Sequence, residues 1–450
     1  MDKKSVVLLV DNRKRDLLGA ALIAHHLQRL GIPCHLEPLE AYKAVLAVHK
    51  PAMIIFNHLL ASHLVSYSKR LKKLGVLTAV LPNEGLIYNS EVLKFLAGRF
   101  HSEAHIDHYF CWHAELKGYL LESGFNEATT RMEVIGIPRF DYYFKPWSHL
   151  FEPLPELPAG KKRILLCTNF DLVRFSELPK SAADQFFSAW APRIKAYEDY
   201  WGCIQSMQHR RQATPAYITA LVETGLYEVV LRPHPSENIE FYQSWIASLP
   251  SNLQSHIRLD AKSNIARLIL ASDLTISVED CTTTLESWIA GKPTISLIFD
   301  RHPMRHSDSF ASLNVSCHAP QELPALVARE LADPEQPAFA AGRQAHLHRW
   351  CAPLDGNTCQ RVAGIIRDAL ATTPGCDIAQ IKLEDHRRAA KLRIKSLLDL
   401  PYTFDPALLL KYKLFPKKYA TRRDTVKKTI RPTEVRRILG QIARLDGTDR

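Results

Sequence analysis

The 450-residue sequence predicts an α/β protein built from two Rossmann-like, doubly wound parallel sheets and a basic helical tail. Three observations lead there. Short apolar runs alternate with helical patterns along most of the chain, a proline-rich stretch breaks that rhythm once, and the positive charge gathers at the carboxyl end. Parallel strands need long crossover connections, which helices supply, so the alternation reads as sheets covered on both faces. With 46% apolar residues the chain can bury two cores, and at this length a single core is not expected.

The first domain is expected over residues 1–147. VVLLV (6–10) precedes the amphipathic RDLLGAALIAHHLQRLG (15–31), AMIIF (52–56) precedes a helix near 59–74, and VLTAVL (76–81) leads into PNEG. HYFCW, a helix over about 113–123 and RMEVIG (131–136) follow. The amino-terminal lysines precede only five apolar residues before Asp11, which reads as a first strand and not a signal peptide. SHLFEPLPELPAGKK (148–162) holds three prolines and no periodicity, the pattern of a linker.

The rhythm restarts in a second domain over 163–376. RILLCT (163–168), a long helical region from about 181 to 224, YEVVL (227–231) and a helix near 238–248 come first. NIARLILAS, DLTIS (273–277), a helix from Thr283 to Ala290 and KPTISLI complete it. Two such domains joined by a linker predict a substrate site in the cleft between them.

Several classes are disfavoured. No GxGxxG follows the first strand and no GxxxxGK[ST] occurs, against dinucleotide oxidoreductases and P-loop kinases. No apolar stretch reaches the length of a membrane-spanning helix. Nine scattered cysteines without a CxxC pair fit a reducing cytoplasm, with thiols packed as small hydrophobes. Residues 377–450 carry 19 Lys plus Arg against 9 Asp plus Glu, leaving 39 against 38 elsewhere. The body is therefore neutral and, lacking a recognition motif, is not expected to bind nucleic acid.

LRPHPSEN (231–238) ends a strand with Arg232 and with His234 held between Pro233 and Pro235. In SVEDCTTTLESWIAGKP (277–293), Thr282, Thr283 and Thr284 open a helix, and a helix start suits a phosphate. Glu286, one turn in, suits a ribose diol; ordinary helix capping is the alternative. Both segments leave carboxyl ends of strands, where open α/β sheets bind ligands, so together they are expected to receive a nucleotide phosphate. LPNEGLIYNSE (81–91) presents Glu84 before Gly85, either a general base or an idle turn residue.

GIPRFD (136–141) offers Arg139 and Asp141 as a salt-bridged helix start or as a cleft pair for an anionic donor. TNFD (168–171) offers Asn169 for substrate and Asp171 as a reserve nucleophile should configuration be retained. His101, His105, His108 and His113 invite a metal, but the strand pattern sends Asp107 and Cys111 elsewhere, and no metal is expected.

The segments PNEGLIY, IDHYFCWHAELKGYL, EVIGIPRFDYY, LLCTNFD, LRPHPSEN and CTTTLESWIAGKPTIS, in that order, resemble the bacterial surface carbohydrate biosynthesis protein family. RDLLGAALIAHHLQRLG and WCAPLDGNTCQRVAGII (350–366) extend the resemblance over about 15–366. It implies a cytoplasmic, metal-independent glycosyltransferase-like protein of GT-B architecture, with no cofactor. More distantly, the sequence is similar to bacterial sialyltransferases and Kdo transferases. Glu84 matches the acidic position and Gly85 the glycine of their acid-acid-Gly motif; His234 and Pro235 match the HP pair, and Thr282 with Thr283 the Ser/Thr motif. Asn83 stands where those enzymes usually carry a second acid, which leaves the stereochemistry open.

The implied donor is a CMP-activated acidic sugar and the implied acceptor a glycan or lipid-linked oligosaccharide. The HP pair also occurs in CDP-glycerol polymerases, so a glycerophosphotransferase is the second reading, and a non-catalytic nucleotide- or glycan-binding scaffold the third. The tail (377–450) interleaves Phe404, Tyr412, Phe415 and Tyr419 with Lys and Arg. It suits either an interfacial helix on an anionic inner leaflet or helices packed on the body.

Overall fold

A computed structural model describes residues 4–84, 86, 91–92, 95, 104–188, 190–278, 281–299, 302–305, 312–415 and 425–447. The chain divides into two compact units. The first comprises Met1–Gly85, Leu93–Leu150 and His348–Arg450, the second Leu86–Val92 and Phe151–Leu347.

The first unit runs β1 (Val6–Val10), α1 (Leu17–Arg29), β2 (Cys34–Pro38), α2 (Val45–His49), β3 (Met53–Phe56), α3 (Ser62–Lys73), β4 (Leu77–Val80), β5 (His108–Cys111), α4 (Ala114–Glu122) and β6 (Arg131–Val134). Its strands pair in parallel in the order β2-β1-β3-β4-β5-β6. VVLLV is buried at every position because β1 has a neighbour on each side and cover on both faces, which removes any need for alternation.

The second unit contains β7 (Lys162–Cys167), α5 (Lys180–Phe187), α6 (Tyr200–Val222), β8 (Tyr227–Arg232), α7 (Ile239–Ser248), β9 (Ile257–Leu259), α8 (Ile265–Leu270), β10 (Leu274–Val278), α9 (Thr282–Ile289), β11 (Thr294–Leu297), β12 (Val315–Cys317) and α10 (Leu323–Ala332). The order is β12-β11-β10-β7-β8-β9, again all parallel. The helical region expected over 181–224 is two helices. Pro192 lacks an amide hydrogen, and Asp199 caps the second helix by accepting the Gly202 N–H at 3.0 Å.

The carboxyl-terminal part departs from expectation. Residues 348–376, read from sequence as part of the second domain, belong to the first unit. Helix α11 (Pro337–Cys351) leads to α12 (Thr358–Thr372), whose apolar stripe Val362, Ala363, Ile366, Ala369 and Leu370 is buried. The buried Asp141 carboxylate accepts the first N–H groups of α12, from Thr358 at 3.1 Å and Cys359 at 2.7 Å. At Gly136, with φ of 87°, a Cβ would stand 2.5 Å from the Pro353 carbonyl oxygen, so only glycine admits this approach.

The basic tail also folds onto the first unit. Helix α13 (Leu383–Leu397) packs on α2, and Arg70 of α3 forks onto its fully buried Asp385 at 3.0 and 2.5 Å. Helix α14 (Pro406–Leu414) follows, and α15 (Pro432–Leu445) packs on α1. His25 and Arg29 both reach Asp446 at 2.9 Å. Among the described residues no helix is long and apolar enough to cross a membrane.

Burial disfavours the charged form of His26 and His35 in the first unit. Burial, aided by His25, lowers His26 from 6.5 to about 4. Burial and the stacked His49, 4.0 Å away, lower His35 likewise to about 4. The unfolded chain binds these protons more readily, so stability present above about 6.5 is lost as pH falls towards 4. Urea midpoints should therefore drop between pH 7 and pH 4.5, and the double substitution His26→Gln, His35→Gln should flatten that dependence.

Candidate functional site

In the second unit, β10, β7 and β8 are adjacent and parallel, so the loops that follow them leave from one edge. From β7 the chain proceeds outward through β8 and β9 and then returns to lay β10, β11 and β12 on the other side. The reversal between β7 and β10 is a topological switch point, where neighbouring connections diverge and a crevice opens. TNFD follows β7, RPHP follows β8 and the threonine helix α9 follows β10.

A buried carboxylate organises this edge. Glu237 Oε1 accepts the Thr168 hydroxyl at 2.5 Å, the His234 N–H at 2.9 Å and the Phe170 N–H at 3.3 Å. Its Oε2 accepts the Tyr242 hydroxyl of α7 at 2.6 Å. One side chain thus ties the loops after β7 and β8 to a helix. Burial raises its pKa above the usual carboxylate value, and the four donors work against that rise.

The Ser236 N–H donates to His234 Nδ1 at 3.2 Å. With Nδ1 accepting, the proton of the neutral ring resides on Nε2, which makes that nitrogen a donor. Pro233 is buried and Pro235 exposed, so the half-buried imidazole is fixed from both sides. Arg232 Nη1 donates to the Asp260 carbonyl at 3.1 Å, and burial lowers the guanidinium below its ordinary value. An anion placed there would offset that desolvation.

The threonine helix is arranged differently from expectation. Cys281, not Thr282, is the N-cap, and it supplies no side-chain cap. Thr282 and Thr283 are half-buried in the first turn, the Thr283 hydroxyl beside the Cys167 thiol. Thr284 is wholly buried, its hydroxyl 2.7 Å from that of Ser277 and its N–H bonded to the Cys281 carbonyl at 3.0 Å. That residue joins α9 to β10, and its polar groups are already engaged. Glu286 is buried at 4% exposure, inside the same helix. Asn169 and Asp171 are half-buried in the loop after β7.

The first unit has its own switch point, between β1 and β3. An open hollow of about 50 Å³ lies there, lined by Arg15, Asp16, Asn57, Asn83, Trp112 and Arg139 among others. Arg15 donates to Asp16 at 2.6 Å, to Asp11 at 3.0 Å and to Glu84, whose side chain is 75% exposed. Asn83 Nδ2 donates to Asp16 at 3.2 Å. The Arg139 guanidinium lies 5.3 Å from the Trp112 ring centre. Asn57 Oδ1 and Trp112 Nε1 are buried and have no hydrogen-bond partner among the described residues.

Arg139 and Asp141 therefore separate in role: the first lines the hollow and the second caps α12. Gly85 and His101 lie outside the described residues. His105 pairs with Asp107 at 3.1 Å, and His113 caps α4 through Nδ1 at 3.2 Å. Sequence reading missed Glu237, Arg15, Asp16 and Asn57. Glu237 had a signal in its spacing, three residues after His234, which lets a carboxylate reach back to that N–H as in a capping box.

No protein-family model matches the chain, and no curated protein does. Solved structures align over most of it. A putative UDP-N-acetylglucosamine 2-epimerase from Listeria monocytogenes matches at 13% identity and a TM-score of 0.51, covering 81% of this chain and 96% of that one. A second UDP-N-acetylglucosamine 2-epimerase matches at 11% and 0.51, covering 82% and 97%. The wall teichoic acid polymerase TagF matches at 12% and 0.50, covering 82% and 89%. The fold is GT-B-like. At these identities the likeness establishes the architecture, two Rossmann-like units with all-parallel sheets.

Glu237→Ala should strip four donors of their acceptor and destabilise the second unit by about 3 kcal/mol or more, whereas Glu237→Gln keeps an acceptor oxygen and should cost about 1 kcal/mol. Urea unfolding of the two variants measures the difference.

Proposed function

We propose that the chain is a glycosyltransferase of bacterial surface polysaccharide assembly, working on the cytoplasmic side with a nucleotide-activated sugar. The observation that carries this reading is the fixed imidazole. His234 is clamped through its main chain by Glu237, its Nδ1 is occupied, and its Nε2–H is a donor at the edge where Arg232 and the start of α9 also emerge. That combination suits a phosphate on which negative charge develops. The sequence resemblance favours a CMP-activated acidic sugar as donor and a glycan or lipid-linked oligosaccharide as acceptor.

In the proposed reaction the acceptor oxygen bonds to the anomeric carbon as the bond from that carbon to the phosphate oxygen breaks. The acceptor proton passes to Glu84, which is exposed and ion-paired with Arg15. The nucleotide departs as an anion received by His234, Arg232 and the first turn of α9, with Thr282 and Thr283 nearest and Pro235 stiffening the loop. Asn169, Arg139 and Gly85 are assigned to substrate contacts, and Glu286 to the ribose. Should configuration be retained, Asp171 takes the nucleophile's part.

Thermal-shift screening against CMP, CDP, UDP and GDP tests the donor, since a ligand that binds only the native state raises its melting temperature. CMP should stabilise the chain most, and His234→Ala should abolish much of that gain. Transfer by His234→Ala or Glu84→Gln should fall by about a hundredfold or more with folding intact. Retained turnover in either variant removes that residue from the chemistry. Glycerol phosphate in the product would instead identify a CDP-glycerol-type phosphotransferase, and binding without transfer across the panel a scaffold.

A further inference from the structure

Helix α13 has two apolar faces. One, carrying Asp385, Ala389 and Leu392, is buried against the first unit. At 100° per residue, Leu383, Ile394 and Leu397 fall on the opposite side, where they are 68%, 59% and 87% exposed. Leu398, the C-cap, is 59% exposed on the same side. An outward stripe of leucine and isoleucine is not what a solvated helix needs; one apolar face already satisfies its packing.

The stripe continues in the next helix. In α14, Leu410 and Leu414 stand four residues apart and are each 62% exposed, and Phe415 after them is 58% exposed. The connection is held in place: Lys395 donates to the Tyr402 carbonyl at 2.7 Å and to that of Phe404, and Asp399 accepts the Thr433 N–H at 2.9 Å and hydroxyl at 2.6 Å. The outward apolar side chains therefore belong to a structured surface.

Charge names the occupant. Arg387 lies within the outward stripe, Lys391 and Arg393 flank it, and Lys411 and Lys413 accompany Leu410 and Leu414, all exposed. Glu384, the exposed acid at the amino end of α13, is paired with Arg388. Apolar side chains rimmed by cations suit the headgroup region of an anionic bilayer, where the leucines enter the acyl boundary and the cations meet phosphates.

We infer that the outward face of α13, with the end of α14, seats the first unit on an anionic lipid surface. The two readings of the tail are then complementary: the inward face packs on the body and the outward face meets the membrane. The inference is independent of the catalytic reading, because it concerns neither switch point.

Flotation of the full chain with vesicles of phosphatidylethanolamine and phosphatidylglycerol tests it, with phosphatidylcholine vesicles as the neutral control. The chain should float with the anionic vesicles, less at raised salt and least with the neutral ones. Leu397→Asp with Leu398→Asp should lower the bound fraction by about tenfold or more, and Lys391→Glu with Arg393→Glu by several-fold. Melting temperatures and transfer to a soluble acceptor should match the wild type in both variants, since these side chains are exposed. Absence of flotation, or equal recovery of wild type and the leucine variant, overturns the inference. So does a lipid-free oligomer that the leucine variant dissociates, which would assign the face to a second copy of the chain.

Discussion

Parallel winding imposes the constraint on which the molecule depends. When every strand of a sheet runs the same way, all the carboxyl ends share one edge, and reversal of the winding parts two neighbouring connections there. Each unit makes that reversal once, between β1 and β3 and between β7 and β10. The hollow of the first unit and the crevice at the edge of the second are products of connectivity before they are products of particular side chains. What the side chains add is rigidity. A crevice between loops would be soft, and Glu237 stiffens it by placing one buried carboxylate on donors from two loops and a helix. The burden of desolvating that acid is met by four hydrogen bonds, which makes the arrangement intolerant of a lost partner.

The two units solve the problem of polar groups at a sheet edge in different ways. In the second, one acid takes several neutral donors, the His234 main-chain N–H among them. In the first, the single guanidinium of Arg15 gathers three carboxylates, those of Asp11, Asp16 and Glu84, which leaves acid in excess around it, and Asn57 Oδ1 and Trp112 Nε1 have no hydrogen-bond partner among the described residues.

Much of this was legible in the residues, and the lapses have physical causes. Strands β1, β3, β4, β7, β8 and β10 announce themselves as apolar runs because they lie inside sheets. Strands β2, β9 and β12 went unread. They are edge strands of three to five residues, as in CHLEP, where every second residue is only half-buried and the apolar signal halves. The HP loop stood out in the sequence because prolines on either side of His234 fix its backbone. Glu237 was not, since an acid just before a helix looks like ordinary first-turn chemistry. The threonine cluster suggested a cap one residue late, because a cysteine at the N-cap gives no capping signature. Residues 348–376 were placed with the second domain because they follow it in sequence, whereas the stripe of α12 is buried in the first unit.

The way α12, α13 and α15 close the first unit bears on the order in which the molecule is completed. The second unit is drawn almost wholly from one continuous stretch, Phe151–Leu347, and has all its parts as soon as that stretch exists. The opening segment must wait for the final hundred or so residues before the apolar flank of α1 is covered and Asp141 meets its amides. On a ribosome the usual amino-terminal-first sequence is thus inverted, and the earliest-made strands are the last to be sealed.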